Sequence, residues 1–196
     1  MQPIANISAL ARNLLREFLV AQDVEPEVTL PSDVQHWRPP DQDSYKLNFD
    51  AAFFKASNTT IIGVIACSWR GEVIGTLSQS IPTSHLVAYM EAQACERAIQ
   101  FTVEIRLRRV VFEGDSALVI NAITQEGAEF SSYGNIIDEI CCIVADLKFV
   151  KFDHVSRVCN CVVDVLAKKA KNILGQQVWM EDPPDDIVPL LLFDVH

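Results

Sequence analysis

At 196 residues, 49% of them apolar, the chain suits one domain with a sizeable core and is too apolar for wholesale disorder. Its formal charge of −10 argues against loose, nonspecific attraction to nucleic acid. No apolar run reaches the roughly 18 residues of a membrane span, and the first 20 residues lack the layout of a secretion signal, so an intracellular protein, nuclear or cytoplasmic, with no membrane partner is expected.

Residues 1–22 read as an N-terminal amphipathic helix, with Ile4, Ile7, Leu14 and Phe18 among its apolar positions. Residues 23–45 contain prolines without an apolar period and read as a linker. A domain follows over 46–174. Runs at 46–54, 61–69 and 72–80, separated by short polar stretches, predict an antiparallel meander. A helix is expected over about 87–104, with Val87, Met90, Ala94, Cys95, Ala98 and Phe101 on its buried stripe. A strand at 108–114, helices at 115–124 and 131–147, a strand at 149–155 and a last helix at 160–174 complete the order. The predicted class is α/β: a mixed five-stranded sheet, three antiparallel strands then two parallel, flanked by helices. Residues 175–196 read as an acidic, proline-containing tail.

The charge is unevenly spread. Residues 1–45 carry three basic and seven acidic side chains, and 175–196 carry five acids and no Lys or Arg. The middle, 46–174, has 13 basic and 14 acidic residues and is nearly neutral. The six cysteines read as reduced, mostly buried thiols, because Cys159 and Cys161 lack a second thiol pair at zinc-site spacing.

Four acids stand in unusual places. Asp50 lies mid-strand in "NFDAAFF", on the face opposite Leu47, Phe49 and Phe53. Glu91 falls on the apolar stripe of its helix. Asp115 follows Gly114 at a strand-to-helix junction. Asp164 opens the last helix. Each has an ordinary reading: a half-exposed strand position, a helix-dipole acid, an N-cap, and an i,i+4 partner for Lys168. With the first and fourth strands adjacent, however, all four converge. Such a cluster needs protons or cations, and hard divalent ions with oxygen ligands answer that need. Two of them about 3.5–4 Å apart are the arrangement of in-line phosphodiester cleavage.

The segments "NFDAAF", "MEAQA", "EGDS" and "HVSRVCNCVVD" resemble, in order, the motifs of type 1 ribonuclease H domains. More narrowly they resemble the reverse-transcriptase-like domains abundant in plants and related to non-LTR retroelements. The resemblance covers about 46–174 and implies the ribonuclease H-like fold. It implies that Asp50, Glu91, Asp115 and Asp164 hold two Mg²⁺ ions, with Mn²⁺ as a substitute, and that His154 is catalytic, although alone His154 reads as a strand-end surface histidine. Arg157 and Asn160 match the motif, and Asn160 also reads as an N-cap. The implied activity is cleavage of the RNA strand of an RNA–DNA hybrid. Val163, Ala51 and Met90 depart from the pattern by enlarging side chains expected near the carboxylates, and 124–131 holds no Lys or Arg where some members carry a basic substrate-gripping extension. Those departures favour an alternative, a non-catalytic nucleic-acid-binding or protein-interaction module. A D-x-E exonuclease fits poorly, since Asp50 is followed by two alanines, and a three-acid transposase leaves one acid and His154 idle.

Overall fold

The computed structural model describes residues 37–125, 131–172, 175–185 and 187–194. The expected helix at 1–22 and most of the 23–45 linker lie outside them. No helix of the described residues is long and apolar enough to cross a membrane.

Three β-rich runs form the meander: β1 (Tyr45–Phe54), β2 (Thr59–Ser68) and β3 (Val73–Pro82). The helix α1 (Val87–Glu104) follows, then β4 (Arg109–Gly114), α2 (Ala117–Thr124), α3 (Gly134–Val144), β5 (Phe149–His154) and α4 (Cys161–Lys169). Among the described residues the sheet has six strands, not the expected five. Residues of the supposed tail form β6 (Gln176–Met180), which pairs antiparallel with β3, and a short helix α5 (Val188–Asp194). An unpaired edge at β3 offers a row of backbone donors and acceptors, and β6 satisfies them. The order is β5-β4-β1-β2-β3-β6, with β1, β4 and β5 parallel.

Alternation along β1 divides the two faces of the sheet. Leu47 and Phe49 join the core beneath α1 and α3, which includes Phe101, Phe112 and Ile140. Ala52 packs with Ala167 and Ala170 on the α4 side, where a second cluster gathers Trp37, Ile65, Val162, Val163, Leu166 and Ile187. Trp37 thus belongs to the domain and not to a free linker. Two expectations of apolar burial fail. Phe53 is 47% exposed and Val87, at the first turn of α1, 49%, because both line an open cleft beside the sheet. Among the cysteines, Cys67, Cys95 and Cys159 are buried, but Cys141 and Cys142 lie on the outer side of α3 and are exposed.

Candidate active site

Strand register brings the acids together. In the parallel pair β1–β4, Asn48 lies opposite Glu113, so two residues further along each chain Asp50 and Asp115 arrive side by side. In the parallel pair β4–β5, Gly114 lies opposite His154, which sets the histidine beside Asp115. The Nε2 of His154 is 3.2 Å from the Asp115 carbonyl oxygen, and the ring is exposed. Glu91, one turn into α1, is buried and reaches the same place. Ligand atoms of Asp50, Glu91 and Asp115 all lie within 4.8 Å of one another.

Asp164 meets Asp50 but lies outside this mutual grouping of three. It lines the same cleft, with a volume of about 670 Å³, but its carboxylate is engaged by cations. Lys168 Nζ donates to Asp164 Oδ2 at 2.6 Å, the i,i+4 pair the spacing predicted. The Arg157 guanidinium lies between Asp164 (3.8 Å) and Asp115 (3.9 Å).

The electrostatics follow from this packing. Burial pushes the Asp50 carboxyl up to about 7, aided by repulsion from Asp115 and Asp164 and by a hydrogen bond to Asp164. Burial likewise drives Glu91 well above the ordinary range, with Asp50 and Asp115 adding to it. Asp115 rises for the same first reason, opposed by Arg157. The Glu91 Oε2 atom is buried with no hydrogen-bond partner among the described residues. Converging carboxylates, one with an orphaned buried oxygen, suit a hard divalent cation, which would take up the repulsion and satisfy that oxygen.

Two glycines, missed in the sequence, make the approach possible. Asp50 pairs across the sheet with Gly63, and a Cβ at Gly63 would meet the Val163 carbonyl oxygen of α4 at 2.8 Å. Its hydrogen side chain lets α4 press on the sheet and sets Asp164 near Asp50. A Cβ at Gly114 would meet the Phe49 ring at 2.5 Å, one residue from Asp50 and one from Asp115. A lone glycine inside a strand is a signal of close backbone approach.

A buried polar network anchors the turn that precedes α4. Asn160 occupies the N-cap position, yet its side chain makes no capping bond. Its Nδ2 instead donates to the Phe49 carbonyl at 2.9 Å, and its Oδ1 accepts from Asn48 at 3.2 Å. Asn48 also donates to Glu113 and accepts from the Trp37 indole, while Lys46 pairs with Glu113 at 2.5 Å. Asp115 is not an N-cap either, since Ser116 holds that position. Of the three enlarged neighbours, Ala51 lines the cleft. Met90 is instead buried against Thr60, and Val163 is buried on the sheet-facing side of α4, so neither lines the cleft.

The model of the reverse transcriptase-like family matches residues 48–170. No curated protein sequence matches the chain. Among solved structures, RNase H1 from the halophilic archaeon Halobacterium salinarum NRC-1 is similar at 19% identity and a TM-score of 0.56, over 66% of this chain and 98% of that one. The N-terminal RNase H domain of Rv2228c from Mycobacterium tuberculosis gives 14% identity and a TM-score of 0.59, over 66% and 94%. LC11-RNase H1 in complex with an RNA/DNA hybrid, an enzyme isolated from compost by a metagenomic approach, gives 19% identity and a TM-score of 0.58, over 65% and 96%. These likenesses show the ribonuclease H fold.

Proposed function

The chain belongs to the reverse transcriptase-like family, and from that membership we propose that it is a metal-dependent endonuclease hydrolysing the RNA strand of RNA–DNA hybrids. The observation that carries this reading is the meeting of Asp50, Glu91 and Asp115 within 4.8 Å, with a Glu91 oxygen unpartnered among the described residues. The similarity of the fold to an RNase H1 complexed with a hybrid supports the choice of substrate. The motifs support a narrower placement, in the plant-abundant group related to non-LTR retroelements.

In this reading Asp50, Glu91, Asp115 and Asp164 hold two Mg²⁺ ions, with Mn²⁺ able to replace them. Bound there, such ions lower the pKa of a water and stabilise the leaving 3′-oxygen. Asp50, from the middle of β1, and Asp115, just past the end of β4, would present their ligand oxygens side by side to such ions. The exposed His154 imidazole, beside the Asp115 backbone, takes or returns a proton at the edge of the cleft. Selection of RNA comes from 2′-hydroxyl contacts across the shallow minor groove, not from base reading.

The test is direct. The purified chain, given a labelled hybrid with Mg²⁺ or Mn²⁺, is expected to cut the RNA strand, and chelation or Asp115→Asn is expected to stop it. Full activity in Asp115→Asn would overturn the assignment. The second reading, a non-catalytic ribonuclease H-like module, draws on Asp164, which Lys168 and Arg157 already neutralise. A Mn²⁺ titration showing no binding, with hybrids left intact, would establish it instead.

A further inference from the structure

The stretch after α2 offers no Lys or Arg over 124–131, so a grip on a polyanion has to come from elsewhere. The cleft itself supplies the groups. Arg157, Lys168 and Lys171 line it together with the carboxylates. Asp164, Lys168 and Lys171 are spaced i, i+4 and i+7, which sets them on one face of α4 and of the 3-10 turn (Ala170–Asn172) that extends it. The opposite face of this segment carries Val162, Val163, Leu166, Ala167 and Ala170, all buried against the sheet. That burial fixes which way the charged face points. Arg157 is 74% and Lys168 53% exposed, so both cations remain open to a ligand in the cleft. Phe53, Val87 and Leu118 give the same cleft an apolar lining.

A charged face, apolar residues and carboxylates lining a single cleft match a nucleic-acid strand, with its anionic backbone on one side and sugars and bases on the other. We propose that Arg157, Lys168 and Lys171 form a phosphate-holding wall that seats the backbone of the scissile strand against the carboxylates, in place of a basic extension after α2. The wall rests on the hybrid-cleaving reading for the identity of its strand. Lys168 joins the two halves of the site. Its ammonium is shared with Asp164, so it can hold a phosphate within reach of that carboxylate. Lys171, a turn further on, extends the track away from the acids.

The experiment is binding of a fluorescein-labelled RNA–DNA hybrid by anisotropy, with the full chain carrying Asp115→Asn to prevent cutting. Adding Lys168→Ala and Lys171→Ala together is expected to weaken binding roughly tenfold at 0.1 M salt. It should also flatten the log–log salt dependence by roughly one for each phosphate that is no longer neutralised. Lys171→Arg is expected to retain the affinity. Arg70 stacks on Trp69 at the β2–β3 turn, at the other end of the sheet, and Arg70→Ala is expected to change nothing. Wild-type affinity and slope in the double lysine variant would overturn the wall, as would a hybrid that does not bind at all. Cleavage by the unmutated chain is scored separately. Binding that depends on the lysines without any cleavage would support the wall and remove the nuclease reading.

Discussion

Two buried polar clusters lie a few residues apart along β1, and they are built on opposite plans. Around Asn48, every charge has a counterpart: Lys46 meets Glu113, the Trp37 indole meets the Asn48 oxygen, and Asn160 closes the group onto the Phe49 carbonyl. Around Asp50, like charges are brought together, and a Glu91 oxygen has no partner among the described residues. The first cluster fastens the turn before α4 to the sheet. The second has no such use and weakens the fold that contains it. A buried network that satisfies itself is fully explained by stability, whereas one that repels itself points to something the protein binds.

Breaking each cluster should therefore have opposite consequences. In the repelling cluster, Asp115→Asn is expected to lower hybrid cleavage by about 10³-fold, roughly 4 kcal/mol of transition-state stabilisation, in a single-turnover assay. In the satisfied cluster, Lys46→Met leaves Glu113 buried without its cation. It is expected to cost roughly 3–5 kcal/mol of stability by urea denaturation. Asp50→Asn should do the reverse and stabilise the metal-free protein. With an ordinary value of 3.8 and a folded value near 7, the carboxyl is stable when protonated, and its penalty accumulates as pH rises from about 4 to 7 and stays constant above. The gain from Asp50→Asn is thus expected to be on the order of 2–4 kcal/mol at pH 8 and to vanish near pH 4. For the same reason Mg²⁺ or Mn²⁺ should raise the melting temperature more at pH 8 than at pH 5, and not at all in a variant lacking Asp50 and Asp115. Smallest of all, Lys168→Ala removes a half-exposed i,i+4 pair and should shift stability by no more than about 0.5 kcal/mol, even where hybrid binding falls.

The sequence carried these two clusters unequally. Asp115 and Asp164 are legible through the motifs "EGDS" and "HVSRVCNCVVD" that hold them, and Asp50 and Glu91 because each puts an acid on an apolar strand or stripe. Short-range periodicity locates such exceptions. The Lys168–Asp164 pair was legible for the same reason, being four residues apart on one helix. The Asn48 network was not, because Trp37, Asn48, Glu113 and Asn160 are joined only by strand register and helix docking. Asn160 consequently read as a helix cap, when its side chain serves the neighbouring strand. The strand β6 escaped notice because "GQQVWM" has little alternation of its own, and its pairing is dictated by the open edge of β3. Alternation gives Phe53 a face but cannot show that this stretch of the face opens onto a cleft. Gly63 and Gly114 were missed although an isolated glycine within or at the end of a strand was there to be read.

The parallel register of β1 with β4 has one more consequence, and it concerns time. Residues 50, 91, 115 and 164 come from distant parts of the chain, so their mutual repulsion does not exist until β4 has paired and α4 has docked over Gly63. A cost incurred that late falls on the finished structure more than on the path to it. Raising the pH should accordingly hasten unfolding while leaving the folding rate almost untouched. A bound divalent ion should act as a latch, lengthening the native lifetime without speeding its formation.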